Sequence, residues 1–302
     1  MKRAQLAPSP LHPAMARGEE IARRSGLSQA EFVEEYLRTN QPVILTDAIN
    51  HWGALDKWTP SWFAERFPER EVEFKYGNLR LPLKDFIPQV LASSSDKPAP
   101  YLTNLPLIES FPELEEDVSP VPSYLEPNWA KRRFLHSGMR HSLNRGAAME
   151  IYIGGPGGSF PILHWDGNST HAFLMQIHGV KQYWAWPPED TPYMYPGTPE
   201  NTSPIQNVEE PDFSTYPLFA QARATTFTLH PGETLFVPSR WWHTAKMLSP
   251  SITLSVNTLN RSNWRNFCAD ITHKARGPAL LAKSAYLMAE LSRYGVMDAF
   301  GL

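Results

Sequence analysis

The stretch Gly157-Gly-Ser-Phe-Pro-Ile-Leu-His164-Trp-Asp166-Gly167 decides how this chain is read. His164 and Asp166 stand two apart. On a strand, residues i and i+2 project to one face, so an imidazole and a carboxylate are offered side by side. A borderline or hard divalent metal accepts that pair, but two ligands make a weak site, and a third has to come from elsewhere. The candidate is His243, which closes Gly232-Glu-Thr-Leu-Phe-Val-Pro-Ser-Arg-Trp-Trp-His243. Two histidines and one carboxylate on one side of a metal leave positions open opposite, the arrangement of non-haem Fe(II) oxygenases. A His-x-Asp alone is common by chance, and a histidine after two tryptophans is more often a packed residue. The setting distinguishes this one: a Gly-rich turn precedes the first pair, a Pro231-Gly-Glu turn precedes the last ligand, and both lie in strand-like runs.

Outward from that stretch the pattern stays short-stranded. Ala148-Met-Glu-Ile-Tyr-Ile153 opens a run of strands, and Gly154-Gly-Pro-Gly-Gly158 turns it into the ligand-bearing segment. Residues 171–186 read as strand, turn near Gly179, and strand; further strands are expected over 224–230, 234–237 and 252–259. Many short strands separated by turns point to a jelly roll or barrel. Upstream, Ser28-Gln-Ala-Glu31 is a capping box, with Phe32, Val33, Tyr36 and Leu37 as the apolar stripe of a helix to about Thr39. Pro42-Val-Ile-Leu45 reads as a buried strand, Thr59-Pro60 starts a second helix through Phe67, and Glu71-Val-Glu-Phe-Lys-Tyr76 alternates as a strand with one wet face. Residues 93–128 read as loop, and the long connection over 191–221 is of the kind that shapes a pocket. Beyond Asn260, Trp264, Phe267 and Ile271 suggest one helix. After Gly277-Pro278, Leu280, Leu281, Leu287, Met288 and Leu291 suggest another. That apolar stripe either packs on the barrel or pairs with a second copy.

Size and composition narrow the classes. At 302 residues the chain suits one large core with appendages, and a net charge of −3 implies no partner by itself. The densest basic run, Lys131-Arg-Arg133, is too short for a nucleic-acid footprint. One cysteine, Cys268, excludes an internal disulfide framework and lacks the setting of a nucleophile. Lys2 and Arg3 are followed by no apolar h-region, and no run of roughly 18 apolar residues occurs, so a cytoplasmic protein without a membrane partner is expected. Twenty-nine prolines and ten tryptophans favour short strands and long ordered connections over long helices.

The stretches Phe160-Pro-Ile-Leu-His-Trp-Asp166, Gln176-Ile-His-Gly-Val-Lys181, Pro187-Pro188, Pro231-Gly-Glu-Thr-Leu-Phe-Val-Pro238, Trp241-Trp-His-Thr244 and Ser251-Ile-Thr-Leu-Ser-Val-Asn257 resemble the cupin-like branch of the JmjC oxygenases. This branch includes an asparaginyl hydroxylase that inhibits hypoxia-inducible factor. The similarity runs from about Pro42 to about Asn260, with motifs in the family's order. It implies a mainly β fold: a double-stranded β-helix over 42–260, an arm and helix over 1–41, and a helical appendage over 261–302, which in the related hydroxylase forms a homodimer contact.

The resemblance also implies the chemistry. Fe(II) is held by His164, Asp166 and His243, and 2-oxoglutarate and O2 are co-substrates for hydroxylation of a C–H bond. Lys181 matches the lysine that receives the distal carboxylate of 2-oxoglutarate, and its apolar neighbours make an unpaired ammonium costly. Tyr101 and Asn257 fall where the family carries co-substrate contacts; packing under a loop or at a strand edge explains them as well. His171, by strand parity with Lys181, faces the pocket as a second-shell or substrate-side residue. One departure stands out. Three residues before His164, where many relatives carry a hydroxyl, this chain has Pro161, so Lys181 with Tyr101 or Asn257 must hold the co-substrate. A protein or peptide side chain is the expected substrate. A small molecule or a tRNA base is the alternative within the same chemistry, and a non-catalytic binding module the alternative outside it. A histone-lysine demethylase is not expected, because one cysteine cannot build a zinc module.

Overall fold

The structure, a computed structural model, describes residues 9–75, 77–131, 148–273 and 276–300, with backbone alone at 299–300. The start of the N-terminal arm and the two arginines of the basic run at 131–133 lie outside the described residues. In chain order the first strands are β1 (Ala22–Arg24), β2 (Val43–Leu45), β3 (Glu71–Glu73), β4 (Arg80–Pro82), β5 (Leu102–Pro106), β6 (Glu150–Gly154) and β7 (Leu163–His164). They are followed by β8 (His171–His178), β9 (Lys181–Trp186), β10 (Thr202–Ser203), β11 (Thr225–Leu229), β12 (Thr234–Val237), β13 (Trp242–Met247) and β14 (Ser251–Thr258).

The alternation of short strands and turns folds into two facing sheets. One runs β1-β2-β12-β8-β14-β6-β5 and the other β10-β7-β13-β9-β11; β3 and β4 form a separate hairpin. From β6 on, the chain crosses repeatedly between the two sheets, which is the winding of a double-stranded β-helix. Every pairing within the two sheets is antiparallel except β1 with β2.

Side chains partition by strand face. Between the sheets, Ala172, Leu235 and Val237 of one meet Tyr183, Ala185, Phe227 and Leu229 of the other. Behind the seven-stranded sheet, Phe173, Met175, Ile177 and Phe236 meet the N-terminal helices through Phe32, Phe63 and Phe86. Behind the five-stranded sheet, Trp165, Trp184, Trp186 and Trp242 form a tryptophan layer. Each such side chain, fully buried, contributes roughly 1.5–3 kcal/mol, so the ligand-bearing sheet is packed from both sides.

The helix starts follow their capping residues. Ser28 Oγ accepts from Glu31 N at 3.2 Å while the Glu31 carboxylate accepts from Ser28 N at 2.8 Å, and the helix runs Gln29–Phe32 before widening over Val33–Leu37. Thr59 caps Pro60–Arg66. Two expectations are corrected. Of the strand expected over 71–76, the structure shows Glu71–Glu73, where β4 supplies its only partner among the described residues, and Tyr76 lies outside the described residues. The supposed loop over 93–128 contains β5, an edge strand whose last residue, Pro106, disguised it; proline is tolerated at an edge because one side needs no donor. β1, on which the sequence reading made no statement, lies between the arm and the first helix, where charged residues hide an edge strand.

The C-terminal segment is helical over Trp264–Thr272 and Gly277–Phe300. Its apolar stripe divides. Leu287, Leu291 and Tyr294 pack with Trp129, Trp264 and Phe267, whereas Leu281 is 73% exposed and Met288 60%.

Candidate metal and co-substrate site

The site is built on β7 and β13, which pair so that His164 and His243 are direct neighbours. The ring centroids lie 4.6 Å apart. His164 Nδ1 sits 2.9 Å from the Ile162 carbonyl and His243 Nδ1 3.0 Å from the Trp241 carbonyl. A carbonyl can only accept, so each Nδ1 carries a proton, which leaves Nε2 as the ring atom that can ligate. Asp166 lies just past β7, on extended backbone (φ −62°, ψ 136°) before a tight turn. The extended geometry, more than a long strand, is what turns its carboxylate to the histidine side. Asp166 Oδ2 is 3.8 Å from His243 Nε2, and one donor atom from each of the three residues lies within 4.8 Å of the others. These three residues can hold a metal ion.

Local packing fixes this geometry. Trp165, between the two ligands, points to the outer layer and meets Trp242 edge-on at 4.6 Å. The long loop supplies Asn201, whose carbonyl accepts from Trp165 N at 3.1 Å and whose amide donates to the Trp165 carbonyl at 2.8 Å. After Asp166, Asn168 and Ser169 adopt positive φ, as does Arg240 before His243. Asp270 holds these two turns together, accepting from Ser169 Oγ at 2.6 Å and Arg240 Nη2 at 2.7 Å. The first C-terminal helix therefore braces both ligand-bearing segments. Nothing in the sequence periodicity signals this. Phe160 stacks on the His164 ring at 4.6 Å. Burial, with the neighbouring His243 adding repulsion, pushes His164 down to about 4, so the ring stays neutral and available to a metal at neutral pH.

The triad opens into a cavity of about 1280 Å³. Lys181, 2% exposed, also lines it and donates to the Tyr101 hydroxyl at 2.9 Å, the one side-chain hydrogen bond of its ammonium among the described residues. Its ammonium also sits 5.3 Å from the Tyr101 ring and 5.8 Å from that of Tyr152. Burial alone drives Lys181 down to about 7. Burial, then the nearby Tyr183 hydroxyl, raises Tyr101. Asn257 lines the same cavity but donates to Thr170 Oγ1 at 2.8 Å. It lies four residues beyond Thr253, the partner of Tyr152, or about 13 Å along the strand. Tyr101 and Lys181 are thus brought together, and Asn257 stands apart.

His171 is corrected. Its Nδ1 accepts from Ser239 N at 2.9 Å, its Nε2 meets Ser262 Oγ at 2.8 Å, and it is buried away from the cavity. The parity count from Lys181 fails because the turn at 179–180 puts the two residues on different strands. Burial pushes His171 down to about 3. Pro161 is exposed, and Phe160 and Ile162 beside it line the cavity.

The seven-stranded sheet contributes residues that the sequence reading missed. Glu150 and Tyr152 alternate with buried isoleucines on β6 and turn into the cavity. Asn104, at φ 55° in a bulge of β5 against β6, donates to Glu150 Oε2 at 2.8 Å and to the Tyr152 hydroxyl at 2.6 Å. Tyr152 donates to the same Oε2 at 3.1 Å. Burial raises Glu150, against the lowering effect of these hydrogen bonds. The signal available was a glutamate at an alternating position of an otherwise apolar strand.

A double-stranded β-helix that holds two histidines and a carboxylate inside, beside a buried lysine, defines a cupin-type oxygenase architecture. A family model described as a cupin-like domain matches residues 28–269, and the chain belongs to this family, the cupin-like JmjC branch of the Fe(II)- and 2-oxoglutarate-dependent oxygenases. Among its relatives is Lysine-specific demethylase 8 of Xenopus tropicalis, 27% identical over 267 residues, covering 83% of this chain and 56% of the relative. Arginine-specific demethylase JMJ22 of Arabidopsis thaliana is 27% identical over 267 residues, covering 85% and 49%. HSPB1-associated protein 1 of Rattus norvegicus is 38% identical over 117 residues, 37% of this chain and 24% of the relative. The chain spans about half the length of the first two. Among the described residues, no helix is long and apolar enough to cross a membrane.

Proposed function

We propose that this protein is an Fe(II)- and 2-oxoglutarate-dependent hydroxylase acting on a C–H bond of a protein or peptide side chain. One observation carries the reading: a nearly fully buried lysine with a single neutral partner shares a cavity with two histidines and one carboxylate that can hold a metal. A buried ammonium needs an anion, and a dicarboxylate that also chelates a metal answers both ends.

His164, Asp166 and His243 would hold the iron, which with 2-oxoglutarate and O2 supplies the oxidising power for C–H hydroxylation, releasing succinate and CO2. The chain's own residues bind, orient and exclude water. Lys181 meets the distal carboxylate, and Tyr101, accepting from Lys181, keeps its own hydroxyl proton to donate to the same group. The Ile162 and Trp241 carbonyls hold both histidines in the Nδ1–H form, as acceptors behind ligating histidines do in metal sites. Pro161 offers no hydroxyl, so Lys181 and Tyr101 carry the distal end. A contact with a second copy through Leu281 and Met288 belongs to the same proposal.

The relatives' names favour a second reading, N-demethylation. It uses the same hydroxylation, placed on a methyl carbon beside nitrogen, so the lack of a zinc module does not separate the two. Incubating the protein with Fe(II), ascorbate, 2-oxoglutarate and pooled peptides and metabolites tests both. A stable gain of one oxygen, with matching succinate, is expected for hydroxylation. Loss of a methyl group as formaldehyde would move the assignment to demethylation, and no succinate in any pool would overturn both.

A further inference from the structure

We infer that Asp270 is a positioning residue for the metal centre and that, through it, metal binding is thermodynamically coupled to the docking of the first C-terminal helix. The inference rests on the metal-binding part of the proposed reading and extends it to a segment outside the β-helix.

Asp166 is the ligand with the least strand pairing behind it. β7 ends at His164, the residue that pairs with β13, so the place of the Asp166 carboxylate depends on the turn that follows. In that turn Asn168 and Ser169 take φ of 56° and 49°, and Arg240, three residues before His243, takes 65°. Residues that carry a side chain hold this conformation only where their neighbours enforce it. Those neighbours come from the helix Trp264–Thr272 and its N-cap, Asn263. Asn263, Asn266 and Asp270 recur at i, i+3 and i+7, which places them on one face. Asn263 Nδ2 donates to the Ser169 carbonyl at 3.2 Å, and Asn266 Nδ2 donates to Ser239 Oγ at 3.2 Å. Asp270 accepts from Ser169 Oγ at 2.6 Å and from Arg240 Nη2 at 2.7 Å. Every member of this polar stripe therefore holds a turn that carries a metal ligand.

Asp270 is the dominant member. It gives one oxygen to the turn after Asp166 and the other to the turn before His243, and hydrogen bonds to a carboxylate are stronger than those of the neutral amides. Arg240 closes the triangle. Its Nε donates to Ser169 Oγ at 3.0 Å, and its guanidinium lies 5.9 Å from the ring of Trp165, the residue between His164 and Asp166. Trp264 and Phe267 of the same helix are buried against Trp129, Leu287 and Tyr294, which keeps the stripe in place. Asp270 thus fixes the separation of two segments that a metal bound by Asp166 and His243 also bridges. Two devices that favour one geometry reinforce each other, and the coupling is reciprocal. A helix docked through Asp270 raises metal affinity, and a bound metal tightens the helix.

The test uses the full chain, stripped of metal with a chelator and titrated with Co(II) alone, followed by its visible absorption. Asp270→Asn keeps the size of the side chain and removes its charge. It should weaken Co(II) binding by about tenfold, the low end of the roughly 10–100-fold that changes behind metal ligands cost, and Asp270→Ala should weaken it at least as much. Asp117→Asn, which breaks the ion pair with Lys57 outside the cavity, controls for general loss of stability and should leave Co(II) affinity unchanged. Hydrogen exchange read by mass spectrometry gives the reciprocal half. In wild type, Co(II) should slow exchange of the backbone amides over 264–272 relative to those over 29–37, and Asp270→Asn should abolish that slowing. The wild-type exchange decides the inference even if a variant fails to fold. Co(II) that binds wild type without slowing exchange over 264–272, or that binds Asp270→Asn as tightly as wild type, would overturn the inference and leave the oxygenase reading standing. A wild-type protein that binds no Co(II) would sink the oxygenase reading and this inference with it.

Discussion

The two walls of the cavity are built differently. On the five-stranded sheet, His164 and His243 are set by backbone: paired strands, carbonyls on both Nδ1 atoms, and tryptophans packed behind. On the seven-stranded sheet, Glu150, Tyr152 and Asn104 hold one another through side-chain hydrogen bonds. Backbone-set groups tolerate little displacement, which suits a metal with fixed bond lengths. A side-chain network can be exchanged by substituting one member without rebuilding a strand. The first wall therefore gathers the candidate metal ligands on fixed backbone, and the second lines the rest of the cavity with side chains that hold one another.

The sharpest way to break this comparison is to remove a backbone-set ligand. Asp166→Ala should reduce metal content by more than the ~10–100-fold that changes outside the ligand set cost, measured by elemental analysis of purified protein. Metal content equal to wild type would dismantle the first wall as described. Next in size is Lys181→Ala, which leaves a buried carboxylate unpaired. Truncating one member of a buried charge pair costs roughly 2–5 kcal/mol, so 2-oxoglutarate affinity should fall by at least an order of magnitude with metal content unchanged. The same titration has a pH signature. Burial disfavours the Lys181 charge and pushes the group down to about 7. Above that pH the lysine is neutral and must take up a proton to bind a carboxylate, so affinity should weaken as pH rises from 7 to 9. A flat profile would mean that Lys181 does not meet the anion.

The smallest expected effect sharpens the contrast between two buried histidines. His171 accepts from Ser239 N and touches neither cavity nor ligand, so His171→Ala should cost stability and leave metal content unchanged. An orphaned buried donor costs about 1–3 kcal/mol, readable as a lower Tm. The sign with pH follows from burial. The folded ring is pushed down to about 3 while the unfolded ring titrates near 6.5, so the unfolded state binds the proton first and stability falls as pH drops from 6.5 toward 3. The variant should lose part of that slope. An unchanged slope would place His171 in a more polar setting.

Legibility in the sequence follows the same division. The cluster of His164, Asp166 and His243 is readable because His-x-Asp on extended backbone puts two donors on one side, and β8, β9, β12 and β14 are readable because they are short apolar runs between turns. Lys181 is readable as a lysine too deep in an apolar run to be solvated. The second wall is not. Asn104 reaches Glu150 through a bulge at positive φ, which no periodicity announces. β5 ends in a proline, and the brace from Asp270 to Ser169 and Arg240 joins residues distant in the chain. His171 shows the converse failure, where parity was counted across a turn.

The central claim, that the triad and Lys181 together receive a chelating dicarboxylate, is tested most directly by anaerobic titration of the Fe(II)-loaded protein with 2-oxoglutarate, following the metal-to-ligand charge-transfer absorption. The expected result is a saturating band at one equivalent of 2-oxoglutarate per iron, absent in Asp166→Ala and shifted to much higher concentration in Lys181→Ala. A fully iron-loaded wild-type protein that develops no band, or a band indifferent to both substitutions, would contradict it.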